Sequence, residues 1–124
     1  MPDLTLRGCR ILVAEDEYMI ADEFCLELEE AGAVVVGPVA TVEDTLSKIT
    51  AAPKLNGAVL DVNLGGKMSF AAADRLMKNG TPFIFTTGYD TSVIPARFNH
   101  IERCEKPVSI AKVVRAIRRA MHGI

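Results

Sequence analysis

The chain has 124 residues, 49% hydrophobic and 24% charged, with a formal net charge of −2, which suits one domain with a true core and gives no reason to expect a nucleic-acid partner. No apolar run approaches the roughly 20 residues of a membrane span, and the start, Met1-Pro2-Asp3-Leu4, lacks the basic and apolar parts of a signal peptide. The 3 cysteines are scattered without a CxxC pair, so a reducing compartment, the cytoplasm, is expected rather than a disulfide frame.

Along the chain, strand-like and helix-like segments alternate. Arg10 to Ala14 reads as a buried strand that ends in Glu15-Asp16. Glu17 to Ala31 reads as a helix, with Ile20, Phe24 and Leu28 at four-residue spacing and acids on the other face. Gly32 is its natural stop. Ala33 to Val36 is a β-branched strand closed by Gly37-Pro38. Thr41 is the expected cap of a second helix through about Ala51, with Val42, Leu46 and Ile49 inward. Gly57 to Leu60 is an apolar strand with Asp61 at its carboxyl end. Lys67 to Lys78 is expected as a third helix, stopped by Asn79-Gly80. Pro82 to Phe85 is a strand that runs into Thr86-Thr87-Gly88.

The fourth helix should lie in Thr91 to Asn99, but Pro95 lacks an amide donor and clashes with the preceding turn. That segment is expected to be short, irregular or mobile, with Pro95 opening a short helix to Phe98. A short strand near Ile101 to Cys104 follows, then Lys106-Pro107. Ser109 is the expected cap of the last helix. Its apolar face is Ile110, Val113, Val114, Ile117 and Met121, and its basic face is Lys112, Arg115, Arg118 and Arg119.

Strands alternating with helices predict an α/β fold, a doubly wound parallel sheet in one domain over residues 1–124. Such sheets bind ligands at the carboxyl ends of their strands, and the acids are at those ends. Glu15, Asp16 and Asp61 would repel one another, so the site favours a cation. Hard oxygen donors with spare positions suit magnesium, to which Asn63 could add its backbone carbonyl. A carboxylate can itself be the nucleophile and form an aspartyl phosphate. Asp61, on the central strand, suits that role. Thr87 could donate its hydroxyl to a phosphoryl oxygen, and Lys106 would help offset the incoming charge. A nucleotide or flavin site would instead need a glycine- or hydroxyl-rich loop after the first strand. Here that loop is Ala14-Glu15-Asp16-Glu17, which repels phosphate unless a cation intervenes.

The residues Ile11-Leu12-Val13-Ala14-Glu15-Asp16-Glu17, Leu60-Asp61-Val62-Asn63-Leu64, Thr87-Gly88 and Lys106-Pro107 resemble those of a two-component response regulator receiver domain. The resemblance spans nearly the whole chain. Pro82-Phe83-Ile84-Phe85-Thr86-Thr87-Gly88-Tyr89-Asp90 is similar to the signature of the FAT GUY receivers, with Thr86 where alanine is usual. Leu64-Gly65-Gly66 and Ala73-Asp74-Arg75-Leu76 add to that match. The resemblance implies a flavodoxin-like five-stranded sheet in order 2-1-3-4-5 with five helices. It implies phosphotransfer from a kinase histidine to Asp61 with magnesium, and a histidine kinase of the HWE or related type, or a phosphotransfer protein, as partner. The downstream partner is a protein that the sequence does not name. Many receivers carry Tyr or Phe three residues before the lysine, where this chain has Arg103. Switching is therefore expected to pass through Tyr89 and the loop to Phe98.

Plainer roles are expected elsewhere. Side chains alternate along a strand, so only one of Thr86 and Thr87 faces the site; the resemblance implies Thr87, leaving Thr86 to pack. Glu17 reads as a first-turn helix residue favoured by the dipole. His100 and Cys104 lack further zinc ligands and read as packing or surface groups. His122, Glu43, Asp44 and Asp74 read as surface residues, and the basic face of the last helix as a wet surface that also suits an acidic partner. The leading function is a stand-alone receiver, acting through protein contacts or as a phosphate sink. It is not an enzyme beyond its own phosphotransfer. The alternatives are a magnesium-dependent phosphotransferase or phosphatase for small substrates, or a degenerate receiver scaffold. The first would need a second acid near the nucleophile, where Asn63 stands. The intact acids, threonine and lysine count against the second.

Overall fold

A computed structural model describes residues 6–51, 54–88 and 93–122. Five parallel strands form one sheet: β1 (Arg10–Ala14), β2 (Val34–Val39), β3 (Gly57–Asp61), β6 (Phe83–Thr87) and β7 (Arg103–Glu105). Their spatial order is β2-β1-β3-β6-β7, the expected 2-1-3-4-5 when these strands alone are numbered. β4 (Asn63–Leu64) and β5 (Lys67–Met68) form a separate antiparallel hairpin. The α-helices among the described residues are α1 (Tyr18–Glu30), α2 (Val42–Ala51), α3 (Phe70–Lys78) and α4 (Ile110–His122). Four α-helices thus lie among the described residues, and the fourth of the expected five, expected to be short or irregular, is not one of them. A 3-10 turn, Ala96–Phe98, stands where the fourth of five was expected. Pro95 caps that turn, because its fixed φ is tolerated at a helix start and not inside one.

The central strands β3 and β6 are buried over their whole length, so they read as continuous apolar runs. Alternation splits the core in two. Leu12, Leu60, Phe83 and Phe85 pack towards α2 and α3 with Leu76 and Phe98. Ile11, Val13, Val59 and Ile84 pack towards α1 and α4 with Phe24, Leu28, Val113 and Ile117. Phe98 stacks on Phe70 at 5.8 Å between ring centroids and meets the Phe85 ring edge-on at 5.5 Å. Arg97 braces the same turn from outside through a two-point pair with Asp74 of α3 at 2.8 and 2.9 Å. The segment expected to be irregular is therefore anchored at Ile94, Arg97 and Phe98, while residues 89–92, including Tyr89, lie outside the described residues.

Two boundaries differ from expectation. β2 does not close at Gly37-Pro38 but runs through it to Val39, with a register shift against β1 between Leu12 and Ala14. Gly37 takes φ +103°, a backbone state that L side chains rarely adopt, and this lets the strand bulge and continue. α3 begins at Phe70, not Lys67, because residues 63–68 form the hairpin. Gly65 and Gly66 take φ +61° and +89°, the two positive values that a tight two-residue hairpin turn requires. α2 is capped as expected, with Thr41 Oγ1 accepting from the Asp44 amide at 3.0 Å.

Candidate functional site

The carboxyl ends of β1, β3, β6 and β7 converge on one cleft of about 450 Å³. Asp16, Glu17, Ile20, Asp61, Asn63, Gly88, Lys106 and Pro107 line it. A larger cleft of about 540 Å³ lies at the amino ends of β6 and β7, beside Met77, Phe83, His100 and Ile101. Its carboxylate, Glu102, is taken by Arg119 at 3.2 Å, so the gathered acids and the lysine mark the smaller cleft as the chemical one.

Each member of that cleft is held by the element that delivers it. Asp61 ends the central strand and is 4% exposed. Its Oδ2 faces the Lys106 ammonium at 2.8 Å, and its Oδ1 accepts from the Asn63 amide at 3.2 Å. Its backbone carbonyl accepts from the buried Ser69 hydroxyl at 2.6 Å. Glu15 is buried; its Oε1 lies 2.7 Å from Lys106 Nζ as an ion pair without hydrogen-bond alignment, and its Oε2 accepts from the Glu17 amide at 3.0 Å. Asp16 is exposed, and its Oδ2 accepts from the Gly65 amide at 3.0 Å. The acids Glu15, Asp16 and Asp61 each place an oxygen within 4.8 Å of the others. This is a compact set of hard donors, a chemistry that fits a divalent cation such as magnesium. Glu17, expected as a first-turn residue, is instead the N-cap of α1, 3.9 Å from Lys106 Nζ.

The electrostatics follow from burial and crowding. Burial pushes the Glu15 carboxyl from its ordinary 4.5 up to about 7. The Lys106 ammonium beside it and the hydrogen bond from the Glu17 amide work against the rise, and the nearby Asp61 charge adds to it. Burial alone would lower Lys106, but the carboxylates of Asp61 and Glu15 overrule it and hold the ammonium above its usual range.

Thr87 ends β6 and is fully buried; its carbonyl accepts from the Lys106 amide at 2.7 Å. The register of β3 and β6 sets Asp61 opposite Thr86, not Thr87. Thr86 Oγ1 is buried with no hydrogen-bond partner among the described residues. Alternation sends Thr86 towards the Ile84 face of the sheet and Thr87 towards the Phe85 face. Arg103, three residues before Lys106, donates to the Phe98 carbonyl at 2.9 Å and so ties β7 to the 3-10 turn. Sequence reasoning missed the Ser69 and Gly65 contacts. The Gly65-Gly66 pair between two short strand-like stretches was the signal for the second.

Solved structures share this fold. SdrG from Sphingomonas melonis Fr1 is 33% identical, with a TM-score of 0.75, over 89% of this chain and 96% of that one. A response regulator receiver protein from Sinorhizobium medicae WSM419 is 19% identical, with a TM-score of 0.81, over 94% of this chain and 96% of that one, and that likeness speaks to the fold. The chain belongs to the response regulator receiver domains. As such it is a component of two-component signalling. A second SdrG structure, from Pseudomonas melonis Fr1, shows the BeF3-activated conformation; it is 32% identical, with a TM-score of 0.71, over 95% of this receiver and 99% of that chain. No protein-family model and no curated protein matches the chain. No helix among the described residues is long and apolar enough to cross a membrane.

Proposed function

We propose that this receiver accepts a phosphoryl group on Asp61 from a phosphohistidine of a kinase or phosphotransfer protein. The supporting observation is the contact set of Asp61, a buried carboxylate at the end of the central strand, with the Lys106 ammonium 2.8 Å away and a cleft in front. An Asp61 carboxylate oxygen attacks phosphorus, the phosphorus–nitrogen bond breaks, and the imidazole leaves with the electron pair. Lys106 already spans Asp61 and Glu15, so its ammonium is in reach to neutralise a phosphoryl oxygen as charge enters. Glu15, Asp16, Asp61 and the Asn63 carbonyl would hold magnesium, which when bound offsets the charge of the incoming group.

Two hydroxyls compete for the remaining phosphoryl contact. Thr87 is the residue that the family pattern supplies, and we assign it this role. Thr86 sits beside Asp61 in register, with its hydroxyl unpartnered among the described residues. Thr87→Ala should slow phosphoryl uptake while Thr86→Ala leaves it near wild type; the reverse result reassigns the role.

The decisive experiment is incubation with magnesium and acetyl phosphate, with Asp61→Asn as control. Wild type that takes up no acyl phosphate ends the proposal. Uptake of beryllofluoride, seen as amide shifts around Asp61, is the parallel measurement, and similarity to SdrG supports its choice. A cytoplasmic kinase of the HWE or related type is the first phosphoryl donor to test. Output then runs through contacts with a downstream protein, or ends in a phosphate sink, with no turnover of other substrates.

A further inference from the structure

The acids of the cleft differ in what holds them. Glu15 and Asp61 are buried and share Lys106. Asp16 is exposed, and a free aspartate carboxylate on a surface samples several rotamers. Its hydrogen bond comes from Gly65, 49 residues further along the chain. That contact joins the loop after β1 to the loop after β3.

The hairpin that carries Gly65 is built to aim one amide. Leu64 is 1% exposed and sits in the core, which anchors β4. The pairs Asn63 with Met68 and Leu64 with Lys67 leave Gly65 and Gly66 as the turn itself. A Cβ at either glycine would meet nothing within 4 Å, so lack of space does not explain the two glycines. Their φ values of +61° and +89° do. Asn63 closes the turn on itself, its Oδ1 accepting from the Gly66 amide at 2.8 Å. Lys67 ties the outer strand to Glu43 of α2 at 3.3 Å.

We infer that the β4–β5 hairpin positions Asp16 for metal binding, with the Gly65 amide fixing the carboxylate and Asn63 and Gly66 holding that amide in place. Gly65 and Asn63 act here as positioning residues, and the inference rests on the reading of Asp16 as a metal ligand. A donor to a ligating carboxylate restricts its orientation, and loss of such a partner typically lowers metal affinity about 10- to 100-fold. The hairpin reaches Asp61 through the Asn63 amide, which neither Gly65→Pro nor Asn63→Ala removes, and Gly65 itself donates to Asp16. Loss of the Gly65 donor should therefore fall on magnesium affinity and not on the rate at saturating magnesium.

The test is calorimetric titration of the protein with magnesium chloride, set beside acetyl phosphate uptake at saturating magnesium. Gly65→Pro removes the donor and cannot adopt the native φ. Its magnesium Kd should rise about tenfold, with maximal uptake near wild type. Asn63→Ala keeps every backbone amide and carbonyl and should move in the same direction by less. Independently of any loop variant, Asp16→Ala should speed hydrogen exchange at the Gly65 amide and weaken magnesium binding. A folded Gly65→Pro protein with wild-type magnesium affinity, or Gly65 exchange indifferent to Asp16→Ala, overturns the inference while leaving Asp16 a ligand. If Asp16→Ala binds magnesium as tightly as wild type, the ligand reading itself fails and the inference with it.

Discussion

Glu15 makes the cation-free receiver less stable as pH rises. Its carboxyl titrates near 7 in the folded chain and near 4.5 when exposed. Below pH 4.5 both states are protonated and Glu15 contributes nothing. Between pH 4.5 and 7 the unfolded chain releases the proton and the folded chain keeps it, so stability falls as pH increases. Above 7 the loss is complete. A rise of about 2.5 in pKa, at about 1.4 kcal/mol each, is between about 3 and 4 kcal/mol in full, of which about 3 kcal/mol falls above pH 4.5. For a chain of 124 residues that is about 10 °C in melting temperature, at about 2 cal/mol/K of unfolding entropy per residue. Lys106 does not confuse this window, because its ammonium is held above its usual range and stays charged throughout. Glu15→Gln removes the titration. The assay is urea unfolding of wild type and Glu15→Gln from pH 4.5 to 8 with a chelator present. The stability difference between the two proteins should change by about 3 kcal/mol across that range, in favour of the variant at high pH. Taking this double difference cancels pH-independent effects of the amide. Parallel pH profiles would refute both the burial argument and the assignment of the proton to Glu15.

Magnesium should reverse that trend, since cation binding favours ionised carboxylates. At 100 times its Kd, magnesium should stabilise wild type by about 2.7 kcal/mol at pH 8, and chelation should remove the gain in a thermal melt. Lys106→Ala leaves two buried carboxylates without their cation and should cost about 3 kcal/mol at neutral pH, less near pH 4, by denaturant midpoint. Phe98→Ala empties the space between the Phe70 and Phe85 rings and should cost about 3–5 kcal/mol in the same assay. Arg103→Ala should cost about 1–2 kcal/mol and speed amide exchange at Phe98, Asn99 and Ile101, whose bonds form the turn that Arg103 ties down.

The sheet and most helices were legible because local pattern and global fold agree. Val59 and Ile84 are apolar on both sides of a buried strand, and Phe24 and Leu28 repeat at helical spacing. The misreadings came where backbone conformation outweighed composition. Lys67 and Met68 suit a helix by propensity, but a turn with two positive φ values folds them into a hairpin first. Gly37-Pro38 reads as a strand end, yet a bulge carries β2 past it. The acids, Thr87 and Lys106 were visible as strand-end residues. What fixes Asp16 was not, because a contact from a backbone amide 49 residues away leaves no side-chain signature. Nor could alternation alone say which threonine stands opposite Asp61, since that depends on inter-strand register.

The bulge in β2 has a consequence for solubility. β2 is an outer strand of the sheet, and Val34, 51% exposed, with Val35 and Val36 would make an attractive template for a second chain. Past the valines, Gly37 throws the strand out of register and Pro38 has no amide to offer. An incoming strand would find only about three residues of regular edge before pairing failed. The same kink that lets β2 rejoin β1 at Val39 thus guards the receiver against edge-to-edge association. Replacing Gly37-Pro38 with two β-branched residues should expose that hazard as concentration-dependent aggregation.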